Sequence, residues 1–300
     1  MMRLPQSEFI LFIAVNFVYL AATVVGVLQV VARRDSHRDL ITHFIAIGVA
    51  LEAVLLIFRA ITVKGLPLTG SFESMIVLTT AFGLAYLIIG VFIRQIWFAA
   101  VMSWTIMLMI LLTALAAEPA TEPNEVASTP FAMAHGIAMI LGEVMVLVAS
   151  VAAWIYLIAN RRLKRKNINN IIGIIPNLQK LRQLNRVGLT AGFVFVSLGL
   201  ISGLGMAYLS TEKLGISMME WLTDIRILLV FSGWWVLLVL LLAQHFGWIS
   251  TRWHAWVTLV VLLLILVALM AQLTNVIKSK HDFEGGQTVS EMAEKRPVTL

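Results

Sequence analysis

The sequence predicts an all-α protein: a polytopic membrane helical bundle of about eight transmembrane helices with both termini outside. Three observations predict it. Of 300 residues, 60% are hydrophobic and only 13% charged, with a mean hydropathy of +0.93, whereas soluble domains are roughly 25% charged. The chain divides into apolar runs, each long enough at about 1.5 Å per residue to cross a hydrocarbon core of about 30 Å. Lys and Arg gather in alternate connections, as the positive-inside bias requires.

The runs place spans near residues 9–31, 40–62, 74–95, 97–117, 131–159, 187–209, 225–246 and 255–277. The first follows a short N-terminal stretch and is too long for a cleaved leader, so it is expected to be retained. The connection after it carries Arg33, Arg34 and Arg38 and belongs inside. Between spans 2 and 3, Pro67 and Gly70 set a turn; Ser71 or Ser74 can cap span 3, with Glu73 in its first turn. The connection after span 4 holds Glu118, Glu122 and Glu125 with no basic residue and belongs outside. Loop 160–186 is strongly basic (Arg161, Arg162, Lys164, Arg165, Lys166, Lys180, Arg182, Arg186) and belongs inside. Its central apolar stripe with basic flanks reads as an interfacial helix on an anionic leaflet. Residues 1–281 form a single transmembrane domain. The tail 282–300 is polar and aperiodic and is expected to be disordered.

The net charge of +6 is concentrated in one loop, which makes it a topology signal and argues against nucleic-acid binding. There is no cysteine. That excludes thiol catalysis, disulfides and thiolate metal sites within this chain.

Few residues remain for chemistry. His135 stands near the mouth of span 5, in the outward-facing run Ala132 to Glu143, at headgroup depth. A His at a span end is an interfacial anchor or, at this depth, a ligand of something partly buried. His281 lies just beyond span 8, and His245 near the inner end of span 7. His37 and His254 lie in or beside basic inner loops and read as solvated; His43 has no assigned role. Glu52, seven residues before Arg59, and Glu143, eight after His135, are intramembrane carboxylates. Such groups face a cavity or partner, or stay protonated. They either line one internal cavity or pin helix packing. Trp97, Trp248, Trp253 and Trp256 fit an interfacial belt. Trp234 and Trp235 lie within span 7, and periodicity leaves open what they face.

Several stretches, in order, resemble the cytochrome c assembly family, the CcsA/ResC-type proteins of the haem-handling superfamily. Pro-Leu-Thr-Gly-Ser-Phe-Glu-Ser at 67–74 is similar to the family's Pro-Leu-Ser-Asn-Leu-Tyr-Glu-Ser. His135, in Phe-Ala-Met-Ala-His-Gly-Ile-Ala-Met-Ile-Leu-Gly, stands where the family places an outer-loop His opening a span. Val-Ser-Leu-Gly-Leu-Ile-Ser-Gly at 196–203 resembles Leu-Thr-Leu-Gly-Ile-Ile-Ser-Gly, with Gly199 and Gly203 as a small-xxx-small pair. Gln244-His245-Phe246-Gly247-Trp248 resembles a His followed by Gly-Trp, and His281 matches the second outer His. The likeness covers roughly residues 40–285. The chain departs from the family at its Trp-Gly-x-x-Trp-x-Trp-Asp motif. Here residues 214–224 keep one Gly, Trp221 and Asp224, and Met and Ile replace the other aromatics, as in HemX-like relatives.

The resemblance implies a haem b-handling protein of the plasma or inner membrane. His135 and His281 would be axial ligands on the outer face, His245 a ligand for haem in transit, and Trp221 and Asp224 part of the haem cradle. As part of a cytochrome c synthase, the chain would need a CcsB/ResB-like membrane partner and an apocytochrome c supplying the thiols for haem attachment. A non-catalytic HemX-like regulator or scaffold that binds no haem, or a small-solute transporter, are the other classes open.

Overall fold

The structure is a computed structural model describing residues 4–32, 38–66, 68, 70–93, 96–121, 129–164, 177–214, 219, 223 and 225–273. Among the described residues there are eight long helices and no strand: α1 (Gln6–Ala32), α2 (Arg38–Val63), α3 (Ser71–Phe92), α4 (Ile96–Ala116), α5 (Pro130–Lys164), α6 (Leu178–Leu214), α7 (Ile225–His245) and α8 (Thr251–Leu273). All eight are long and apolar enough to cross a membrane. The tail 282–300, and the stretch 165–176 that holds most of the expected interfacial helix, lie outside the described residues.

The helices alternate in direction, so α1 begins and α8 ends at the same end of the bundle. That end carries Glu8, Glu73, Glu118 and His135, and is called here the carboxylate end. The other carries Arg161, Arg162, Lys164, Lys180, Arg182, Arg186 and Arg252, and is called the basic end. Helices α1 to α4 pack as one group around Tyr19, Phe72, Phe82, Tyr86, Phe98 and Met102, all buried. Helix α5 joins that group through α3 and carries α6 and α8 on its other side, with α7 packed on α6 and α8. It is the most enclosed span, while α1, α7 and α8 turn large apolar side chains outward, as a lipid-facing surface requires.

The α5–α6 contact is a seam of glycines. A Cβ on Gly142 would sit 2.7 Å from Val196 Cγ2, one on Gly192 2.8 Å from Val146 Cγ2, and one on Gly188 2.9 Å from the Met145 carbonyl oxygen. The two backbones thus approach too closely for any side chain at these positions, which is how helices associate where lipid removes a hydrophobic driving force. Asn185 reaches across the seam, its amide donating to the Ala149 carbonyl (2.9 Å) and to Thr258 Oγ1 of α8 (3.1 Å).

Two sequence expectations need correction here. Lys180, Arg182 and Arg186 are not loop residues, because α6 starts at Leu178 and runs 37 residues, about 55 Å. Asn177 caps it, its Oδ1 accepting from the Gln179 N–H (3.0 Å) and the Lys180 N–H (3.3 Å). Leu181 and Leu189 turn inward while the cations stay exposed, so an amphipathic first part prolongs the span. His254 is likewise not solvated but 4% exposed. It precedes Thr258 by four residues, which puts both on the inward face of α8.

The seam predicts that a side chain cannot be added to it without cost. Gly142→Leu, whose Cβ would meet Val196 Cγ2 and the α6 backbone, should lower the melting temperature of the detergent-purified protein by several degrees, read by intrinsic fluorescence. Val194→Leu, on the outward face of α6, should leave it unchanged.

Candidate functional site

At the carboxylate end, the first feature is a buried ionic cluster. Arg59 is 2% exposed near the end of α2, and Glu8 and Glu73 are equally enclosed. The guanidinium donates to Glu73 through Nε (2.7 Å) and Nη2, to Glu8 Oε2 through Nη1 (3.0 Å), and to the Ala120 carbonyl through Nη2 (2.6 Å). Glu73 also accepts from the Ala120 N–H (3.2 Å), and Glu8 from the Thr62 hydroxyl. One side chain thereby ties the starts of α1 and α3 and the chain after α4 to the end of α2. Breaking such a group by removing one partner costs about 3–5 kcal/mol, because the other charges stay buried.

This corrects the expected role of the stretch before α3. Gly70 is the N-cap of α3 with no side-chain cap bond, so neither Ser71 nor Ser74 serves. A Cβ on Gly70 would collide with Glu73 Oε2 and reach 3.0 Å from Ala120, so glycine makes room for the cluster. Ser71 Oγ accepts from the Glu118 N–H (2.9 Å), and the Phe72 N–H donates to the Glu118 carbonyl (3.2 Å). The turn also touches α5: Leu68 Cδ1 lies 3.9 Å from the Cβ position of Gly136. The 67–74 stretch and the residue after His135 are therefore neighbours.

His135 sits in the second turn of α5, a helix opened by Thr129, whose carbonyl accepts from the Met133 N–H (3.0 Å), and by Pro130 at its first position. Its Nδ1 is 2.7 Å from the Gly199 carbonyl oxygen on α6. A carbonyl only accepts, so Nδ1 carries a proton, and in the neutral ring Nε2 keeps its lone pair. Nε2 has no partner among the described residues, and the ring is half-buried. A Cβ on Gly203 would lie 2.9 Å from Nδ1, and one on Gly199 2.6 Å from Met139 Sδ. Both glycines of the 196–203 stretch are thus spaces filled by α5 side chains. A neutral imidazole with Nδ1 tied to a carbonyl and Nε2 free is a donor that suits a haem iron.

The other expected site residues divide. His245 ends α7, exposed, its ring edge-on to Phe246 at 5.2 Å. It lies at the basic end, so it and His135 do not meet. Gly247, at φ +69, lets the chain turn back so that the Trp248 N–H reaches the Ala243 carbonyl (2.9 Å). The Gly-Trp after His245 therefore closes the helix. His281, Trp221 and Asp224 lie outside the described residues.

Glu52 and Glu143 occupy different helix contacts. Glu52 is fully buried, Oε2 accepting from the Tyr19 hydroxyl (2.9 Å) and the Thr80 hydroxyl (3.0 Å), and it joins α1, α2 and α3. That fits the packing reading. Glu143, half-buried two turns beyond His135, has no hydrogen-bond partner among the described residues. Trp234 faces α6, donating from Nε1 to Ser197 Oγ (2.8 Å) and stacking on Phe193. The residues that sequence reasoning passed over are Arg59 and Glu8. An arginine inside an apolar run was the available signal, since such a charge needs a buried counter-ion; nothing local named Glu8 and Glu73 as that partner.

The cluster predicts that Arg59→Met lowers the melting temperature of the detergent-purified protein by ten degrees or more, read by intrinsic fluorescence. Arg182→Met, on the exposed side of α6, should shift it by less than two.

The chain has no match among curated proteins. The model of the family described as cytochrome C assembly protein matches residues 68–277. That span takes in the turn before α3, His135, the Gly199–Gly203 stretch and the end of α7, and covers well over half of the chain. This multi-pass membrane protein belongs to the cytochrome c assembly protein family.

Proposed function

We propose that the protein holds haem for c-type cytochrome biogenesis at the carboxylate end of the bundle, with His135 as an axial ligand. Family membership gives it a role in cytochrome c biogenesis and an involvement with haem. The observation that carries the finer reading is the tether of His135 Nδ1 to the Gly199 carbonyl, which leaves Nε2 as a fixed donor. A ring held this way meets a metal at lower entropic cost than a free rotor and keeps one tautomer.

In this reading haem b is cargo, and its iron and vinyl groups supply the reactive chemistry. The chain's own residues bind and orient it. His135 and His281 ligate on the outer face, Trp221 and Asp224 lie against the macrocycle and its polar edge, and His245 serves haem passing from the basic, inner end. The sidedness rests on the Lys/Arg distribution, and the membrane is the plasma or inner membrane. With no cysteine in the chain, the thiols come from an apocytochrome c, and a CcsB/ResB-like membrane partner completes the assembly.

The test is the visible spectrum of the detergent-purified protein beside His135→Ala and His281→Ala. A Soret band of low-spin, bis-imidazole character that is lost or shifted in both variants is expected. Wild-type protein without haem, even when expressed with excess haem and the partner, would overturn the reading and favour a scaffold that binds none.

A further inference from the structure

At the basic end, the last turns of α5 and the first turns of α8 border an open cavity of about 890 Å³. Its polar lining residues are Tyr156, Asn160, Lys164, Ser250, Thr251 and Arg252. Ser250 Oγ accepts from the Trp253 N–H (3.5 Å); none of the other five side chains has a hydrogen bond or ion pair with another described residue. Neither helix offers a counter-ion: α5 has no Asp or Glu after Glu143, and α8 has none at all. Two cations and four neutral hydrogen-bonding residues thus border one space, with no acidic residue among its lining.

The remaining lining is apolar and exposed. Trp253, Trp256 and Val260 border the cavity and are 66%, 42% and 50% exposed. Leu263 and Val267 continue the same stripe at 60% and 47%. The spacings of three and four residues keep all five on one face of α8. From Trp256 to Val267 the stripe is about 16 Å long, roughly the depth of one leaflet. The site therefore matches a molecule with an anionic head and an acyl tail. We propose that this cavity seats the phosphate headgroup of an anionic phospholipid, with Lys164 and Arg252 on the phosphate, Tyr156 and Asn160 on the polar head, and an acyl chain along the α8 stripe. The site is independent of the haem reading, since its lining includes none of His135, His245, His281, Trp221 and Asp224.

Native mass spectrometry of the delipidated full chain, titrated with phosphatidylglycerol or phosphatidylcholine, tests it. One phosphatidylglycerol should be retained at least ten-fold more tightly than phosphatidylcholine. Lys164→Ala/Arg252→Ala should abolish that preference, and Lys164→Arg/Arg252→Lys should keep it. Lys180→Ala/Arg182→Ala, which removes the same charge elsewhere at this end, should leave it within two-fold. If the alanine pair fails to fold, Arg252→Gln alone, on an exposed first turn, should lower the preference at least three-fold. Equal losses in the two alanine pairs would show diffuse attraction and overturn the site. So would equal retention of the two lipids, or inorganic phosphate displacing phosphatidylglycerol at equal concentration, which would assign the cavity to a free anion.

Discussion

The carboxylate end depends on how closely α5 and α6 approach. One hydrogen bond between helices in a membrane contributes only about 0.6 kcal/mol, so the bond from His135 to Gly199 does not hold the pair together. The glycines do, by letting two backbones pack where any side chain would intrude. Once the helices are that close, the Gly199 carbonyl comes within 2.7 Å of the imidazole. The bond then decides which nitrogen carries the proton and which way the other points. Packing sets the position of the ring, and the hydrogen bond sets its orientation.

The Arg59 cluster organises the opposite wall of the same end. Its three charges are deeply buried, and the pairing is worth less as net stability than as a constraint on geometry. It fixes the turn before α3, and Leu68 of that turn rests near Gly136, next to His135. Two groups of helices, α1–α4 and α5–α6, therefore converge through short contacts on one end. The basic end is organised differently: its cations are mostly exposed, and α7 closes there on Gly247.

The spans were legible because composition and length suffice to mark them. Apolar runs in lipid admit few structures other than helices, and the eight expected spans correspond to the eight helices. The start of α6 was not legible, since its first turns are rich in charge and only the Asn177 cap marks them. His135 and the two glycines stood out through their resemblance to a family. What the glycines do there, admitting His135 and Met139, is a tertiary fact that no spacing within α6 carries. Glu73 read as a helix-start acid because its partner lies fourteen residues earlier, across a turn. His254 read as solvated because it follows Arg252, yet the helical period carries it inward to the Asn185–Thr258 contact.

The most direct test of the central claim is the accumulation of c-type cytochromes in cells whose only copy of this chain carries His135→Gly, grown with and without added imidazole. The account predicts loss of haem-stained c-type cytochromes without imidazole. It predicts partial recovery with it, because the vacated space keeps the Gly199 carbonyl that orients the ring. Wild-type levels in the His135→Gly cells without imidazole would contradict it.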